Sequence, residues 1–372
     1  MTLPKKILVA PLNWGLGHAT RCMPIIDELR RQGAEVILAS DGAAYDLLKR
    51  EYPDLTIHKL PAYNIRYPFR SMMLSMAFQM PKILRGAIGE HYWLKKFLKT
   101  TAVDVVISDN RFGFYNRKIH SIFMTHQVNI LIPVRFFQPI VNVINHFFIK
   151  KFDVCWIPDL ENTPNLAGEL SHGYFPKNLK IKYLGVLSRF EKINVGEVSN
   201  LADVDYNIQK YKAAFILSGP EPQRSIFEKK IRQQLHQQAN DNESFLLIRG
   251  TEKANNFNTE TLSNLEIHDV LTSNLLNKKM MHSEVIICRS GYSSIMDLVC
   301  LQKAAVLIPT PGQTEQEYLA KELMHQNQFF SQKQDDFNLQ TALMSYKSYK
   351  NFAHLDMRKN TLKEIVAELW EF

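Results

Sequence analysis

Short apolar runs alternate with longer amphipathic stretches along all 372 residues. The runs at 7–10, 35–39, 103–109, 121–125, 152–158 and 181–186 in the front half, and at 213–217, 245–248, 285–288 and 305–308 in the back half, are rich in β-branched residues. Gly, Pro, Ser or charged residues bound them. Such runs read as strands buried on both faces of a parallel sheet. Between them, 19–32, 223–237 and 292–300 carry helical patterns, with Gly33 placed to end the first and Pro24 expected close enough to its start to be tolerated. The alternation predicts an α/β chain of two doubly wound, Rossmann-like domains. The expected division is 1–187, a polar linker at 188–211, 212–350, and a final helix at 351–372 with Leu362, Ile365, Val366, Leu369 and Trp370 at helical spacing.

Composition changes this picture little. A chain with 45% hydrophobic and 22% charged residues is an ordinary globular protein, and its length is enough for two cores. Cys22, Cys155, Cys288 and Cys300 show neither Cys-x-x-Cys nor Cys/His ligand spacing, which points to a reducing compartment and away from structural zinc. The first apolar run is too short for a signal peptide, and no uninterrupted apolar stretch is long enough to span a bilayer, so the expectation is a cytoplasmic protein.

Charge changes it more. Residues 1–187 hold 24 Lys/Arg against 14 Asp/Glu and the remainder 21 against 23, a front half of +10 and a back half of −2. Within 59–100, and again in 134–151, basic residues interleave with Met, aromatic and aliphatic ones, as on a surface that sinks apolar side chains into an anionic membrane. The competing reading is an ordinary amphipathic helix packed on the sheet. Nucleic acid is not expected, because no recognition motif is present.

The densest chemistry lies in 285–320. A strand ending in Ser290-Gly291-Tyr292-Ser293-Ser294 opens a helix whose free N–H groups and positive dipole end suit a phosphate. Asp297, four residues after Ser293, shares its helix face and suits a sugar hydroxyl. After the next strand, Gln313, Glu315 and Gln316 stand at the mouth of another helix, where Thr314 and Glu317 have the spacing of a capping box. In the front half, Gly15 and Gly17 lie in the loop before the first helix. His18 sits at that helix's N-terminus, where the dipole favours the neutral imidazole, either as a base or as a simple cap. Thr20 and Arg21 follow as contacts for phosphate or acceptor. Asp109 closes a strand at the edge where open α/β sheets bind ligands, as a rival base or a turn cap.

The sequence Cys-Arg-Ser-Gly at 288–291, the acid at Asp297, and the Pro and Gln-rich segment ending in Gln313–Gln316 together resemble the donor half of GT-B glycosyltransferases, and of family 28 in particular. The resemblance is strongest at 7–33 and 285–320. It implies two domains facing across a cleft, with the last helix crossing back onto the first domain. It also implies a nucleotide-sugar donor, UDP-linked as in UDP-N-acetylglucosamine, and an acceptor that is a glycan or lipid-linked, at the inner face of a cell membrane. No metal or other cofactor is implied; Asp203-Val204-Asp205 has the letters of a metal motif in the wrong context. The resemblance makes His18 the cleft-facing histidine. It sets His126 and Gln127 beside Arg21 on the acceptor side, and gives Ser218, Gly219, Arg249 and Leu271 to the donor. The chain departs from the family where Pro220 and Glu221 follow Gly219, since Pro removes an N–H and Glu repels phosphate; Arg224 could compensate. Three other readings remain. A nicotinamide or flavin enzyme would use Gly15, Gly17 and Asp41, but Thr20 replaces the third glycine. A nucleotide-sugar 2-epimerase shares the fold, and a non-catalytic binder of sugar nucleotide or membrane would explain Pro220.

Overall fold

The computed structural model describes residues 4–63, 72–190, 209–237, 243–251, 263–353, 355 and 361–371, with the side chains of 72–78 excepted. Two compact units result, one of Met1–Ser188 with Met357–Phe372 and one of Arg189–Asp356. Much of the expected linker, with Asp203 and Asp205, lies outside the described residues, as does part of the basic 59–100 stretch.

The first unit runs β1 (Lys6–Pro11), α1 (Gly17–Arg31), β2 (Glu35–Ser40), α2 (Gly42–Glu51), β3 (Thr56–Lys59), α3 (Met72–Phe97), β4 (Val105–Asp109), β5 (His120–Met124), α4 (Gln138–Ile149), β6 (Val154–Ile157), α5 (Glu169–His172) and β7 (Ile181–Tyr183). Its seven strands are parallel in the order β3-β2-β1-β4-β5-β6-β7. Continuous burial of Ile7–Pro11 and Val105–Asp109 explains why these runs carry no polar alternation: helices cover both faces. Strand order reverses direction between β1 and β4, so the loops after these two strands part there and leave room for a ligand. Helix α1 begins two residues earlier than its pattern suggested, so Pro24 lies well inside it and farther from its start than expected.

The second unit contains β8 (Tyr211–Ile216), α6 (Gln223–Gln237), β9 (Phe245–Ile248), β10 (Leu265–His268), α7 (Ser273–Met281), β11 (Ser283–Cys288), α8 (Tyr292–Cys300), β12 (Ala305–Leu307), α9 (Thr314–His325), β13 (Phe330–Ser331) and α10 (Leu339–Ser345). The parallel order is β10-β9-β8-β11-β12-β13, with its switch between β8 and β11. The expected final helix is shorter than its apolar pattern: α11 (Thr361–Ala367) continues as a 3-10 turn at Glu368–Glu371. It packs against α1 in the first unit, where the Gln32 side chain donates to the Lys363 carbonyl at 2.9 Å and Lys182 pairs with Glu368.

Candidate active site

In the first unit, β1, β4 and β5 are neighbours, so the segments leaving their carboxyl ends converge. Gly15, at φ +84°, turns the chain out of β1 in a conformation that glycine adopts without strain, and Gly17 opens α1. His18 and Arg21 then lie one helical turn apart on the face towards Asp109, the last residue of β4. The His18 Nδ1 is 3.1 Å from Asp109 Oδ2, and Arg21 Nε donates to the same oxygen at 2.8 Å while its Nη2 pairs with Oδ1. Arg21 Nη1 also reaches Nδ1 of His126, just beyond β5, at 3.1 Å. Asp109, Arg21 and His126 are almost wholly buried.

This geometry departs from four expectations. Asp109 is not a base: burial alone would raise its pKa, but Arg21 and His18 override that and hold it at about 2, an ionised and fully engaged carboxylate. Arg21, 2% exposed, holds Asp109 and the two imidazoles instead of an acceptor. His126 is buried too, with Nδ1 facing Arg21, and only Gln127 beside it is partly exposed. Thr20 donates to the Gly17 carbonyl at 3.1 Å and is buried, so it belongs to the helix.

His18 is held neutral. Burial lowers its pKa first, Asp109 opposes that, and Arg21 adds to the lowering. Its Nδ1 lies 2.8 Å from Arg21 Nη2 as well as 3.1 Å from Asp109. The two contacts demand opposite tautomers, because guanidinium only donates and carboxylate only accepts. With Nδ1–H towards Asp109, Nε2 keeps its lone pair.

A second buried charge group lies beside this one. Arg111 pairs with Asp41 and, at 2.6 Å, with Glu90, and donates to the Pro11 carbonyl at 2.9 Å. Asp41 is thus committed to Arg111 and Asn13, which removes the acid that a dinucleotide site would require.

In the second unit, Ser218 and Gly219 after β8, and Ser290–Ser294 after β11, flank the strand-order switch. Gly219 has φ +94°, and a Cβ there would lie 3.6 Å from the Thr310 hydroxyl beyond β12, so these turns are adjacent. That Thr310 hydroxyl is buried with no partner among the described residues, a polar group that the sequence reading passed over. Gly291 is the N-cap of α8, at φ −70°, with no side-chain cap; a Cβ there would meet nothing nearer than Ser294 Oγ at 3.9 Å. Tyr292, Ser293 and Ser294 form the first turn of α8, with Tyr292 buried and both serines half-buried. Asp297 follows, 3.8 Å from Arg189.

Several candidates have other work. Ser290 is buried and donates its hydroxyl to the Gln316 carbonyl at 2.8 Å, while Gln316 Oε1 accepts from Thr310 N at 2.9 Å, so both brace the two turns together. Helix α9 begins at Thr314, with Gln313 as N-cap. Thr314 is therefore not the cap of a capping box, and Glu317 instead accepts from Gly312 N at 2.8 Å. Glu315 lies in the same first turn, half-buried. Arg249 is not a free cation: Glu228 at 3.0 Å and Asp269 at 2.9 Å neutralise it. Arg224 and Glu221 likewise pair with each other, which removes the repulsion expected from Glu221 along with the compensating charge. Leu271, half-buried after edge strand β10, lies farther along the sheet than the other turns. Among the described residues no three His, Cys, Asp or Glu gather as a metal site.

Residues 214–369 match the model of the glycosyltransferase family 28 C-terminal domain. A search of curated protein sequences finds no match. Among solved structures, the glycotransferase of kitacinnamycin aligns with a TM-score of 0.66 at 14% identity, over 98% of this chain and 95% of its own. MurG of Acinetobacter baumannii aligns at 0.58 and 16% identity, over 99% and 100%. UGT89C1 of Arabidopsis thaliana, solved with UDP-L-rhamnose, aligns at 0.63 and 14%, over 99% and 100%. The chain has the GT-B fold of these glycosyltransferases, and its second unit with the final helix is similar to the family 28 C-terminal domain.

Proposed function

We propose that the chain moves a sugar from a nucleoside diphosphate donor, a UDP-sugar such as UDP-N-acetylglucosamine, to a hydroxyl of a lipid-linked or other membrane-associated acceptor, without a metal. The observation that carries this reading is the partly exposed His18 held neutral against an ionised, buried Asp109. In this mechanism the Nδ1–H of His18 faces Asp109 and Nε2 takes the acceptor hydroxyl proton. The acceptor oxygen forms its bond to the anomeric carbon as the bond to the diphosphate breaks, and the nucleoside diphosphate leaves. Asp109 then offsets the imidazolium, and Arg21 nearby keeps its pKa low enough for the proton to move on.

On the donor side, the start of α8, whose N-cap is Gly291, directs the positive end of its dipole at the leaving diphosphate. Asp297 holds ribose, and the Gln316 amide, whose oxygen is already bound, offers its N–H groups to the sugar. UGT89C1, solved with UDP-L-rhamnose, supports a uridine donor, whereas VinC and SpnG, solved with thymidine diphosphate, support a pyrimidine nucleoside diphosphate more broadly.

Calorimetric titration of the whole chain with UDP, UDP-N-acetylglucosamine and NAD, without added metal, tests the donor half. Saturable UDP binding supports it, and NAD binding in place of UDP overturns it. Sugar released or altered without an acceptor would instead make the chain a hydrolase or a 2-epimerase, and UDP binding with no turnover on any acceptor a binder.

A further inference from the structure

Of the arginines near the turns of the second unit, Arg224 and Arg249 are matched by acids, whereas Arg289 has no acid paired with it among the described residues. Arg289 stands between the end of β11 and Ser290 and is 1% exposed. Its Nη1 donates to the carbonyls of Ile308 at 3.2 Å and Pro309 at 3.4 Å, just past β12. Its Nη2 donates to the carbonyl of Gln223, the first residue of α6, at 2.9 Å and to Gln334 Oε1 at 2.6 Å. The centre of the Phe227 ring lies 4.7 Å from its Cζ, and its Nε finds no partner among the described residues.

All of these partners are neutral. The adjoining Cys288 adds no charge, because burial pushes its pKa up to about 12 and keeps it a thiol. Burial lowers the pKa of Arg289 itself to about 10, which still leaves it a cation at neutral pH. Carbonyl dipoles and an aromatic face steady a guanidinium, but they do not cancel its field as a carboxylate does. A full charge held in a dry interior without a counter-ion is costly. Glutamine at 334 is the isostere of the acid that would remove that cost. It is 2% exposed and fixed in place, its Nε2 donating to Gln223 Oε1 at 2.8 Å.

The place of this charge suits an anion. Arg289 precedes Ser290 and Gly291, where α8 begins with the positive end of its dipole. It also grips the carbonyl of the residue before Thr310, whose buried hydroxyl lacks a partner among the described residues. Guanidinium and helix dipole repel each other there, and an anion at these turns relieves both. We propose that Arg289 is a positioning residue for the donor's diphosphate: a buried counter-charge, left unmatched by Gln334, that holds phosphate by its field without touching it. This role rests on the donor reading of the α8 turn. The competing role is a staple that only ties α6, β11 and β12 together.

Gln334→Glu separates the two roles, because a carboxylate against Arg289 strengthens a staple while cancelling the charge. The full chain and the variant are titrated at pH 8 with UDP and UMP by calorimetry and with uridine by ligand-observed NMR, with urea unfolding in parallel. The expected result is UDP binding about tenfold weaker, a smaller loss for UMP and none for uridine, with the urea midpoint unchanged or raised. Arg289→Gln is expected to give the same order of losses. UDP affinity retained in Gln334→Glu overturns the counter-charge and leaves the donor site standing. Equal losses for UDP, UMP and uridine reduce Arg289 to a staple. No UDP binding by the unaltered chain overturns the donor reading, and this role with it.

Discussion

The two units place chemistry at the same topological position, the strand-order switch, but prepare it in opposite ways. In the first unit, charged side chains fill the position and satisfy one another: Arg21 binds Asp109, His18 and His126, while Arg111 binds Asp41 and Glu90. In the second, the charges beside the turns are tied off, Arg249 by Glu228 and Asp269 and Arg224 by Glu221, and α8 starts at Gly291, an N-cap with no side chain of its own to offer. A preset proton acceptor needs fixed neighbours in a dry setting, because its pKa depends on them. A site for a departing anion is better served by backbone dipoles that need no counterion.

Breaking the first arrangement should have the largest effect. Asp109→Ala leaves Arg21 charged and buried without its carboxylate, and is expected to cost about 3–5 kcal/mol of stability, read by urea unfolding. A loss below 1 kcal/mol would mean the cluster is not the prepared charge system described above. His18→Ala is expected to lower the transfer rate by about 10²–10⁴-fold with UDP affinity intact; equal losses in both would make His18 a donor contact. Asp297→Ala should weaken UDP binding by about 1–3 kcal/mol and leave unfolding nearly unchanged. Unaltered affinity removes Asp297 from the donor site.

The acid limb of the rate profile provides a finer test. His18 has a lowered pKa, so the neutral form required of a base persists as pH falls past the ordinary 6.5, and the limb should lie below that value. Asp109 has a depressed pKa, so its stabilisation is complete above the ordinary 3.8 and disappears as pH falls through about 2, well clear of the His18 limb. A rate limb above 6.5 would point to another base. The smallest effect sharpens the contrast from the other side: Arg249→Gln should leave UDP affinity within about twofold, because its charge is already matched. A large loss of affinity would return Arg249 to the donor contacts.

The fold was readable because buried parallel strands are marked locally, by short β-branched runs between breakers. The turns proposed for the donor are also local, since Ser290, Gly291 and Asp297 lie within one strand–turn–helix unit. The acceptor-side cluster was not, because its partners are separated by 88 residues from Arg21 to Asp109 and 105 from Arg21 to His126. Each of these residues stands out in the sequence by its position, yet their mutual pairing depends on β1, β4 and β5 lying side by side. That strand order is what makes Arg21 a link between Asp109 and His126. The pairing of Arg249 with Glu228 and Asp269 was hidden for the same reason: one partner is on α6 and the other follows β10.

One feature of the chain path bears on how the protein is made. Residues 357–372 belong to the first unit, where α11 covers α1, although residues 189–356 form the whole of the second. A ribosome therefore delivers α1 more than 300 residues before the helix that covers it. Until then the α1 surface that packs against α11 stays uncovered, so the second unit can finish folding on the emerging chain while the first waits. Excision follows the same asymmetry: the second unit can be cut out as one continuous segment, whereas the first survives only if its two separate pieces are rejoined.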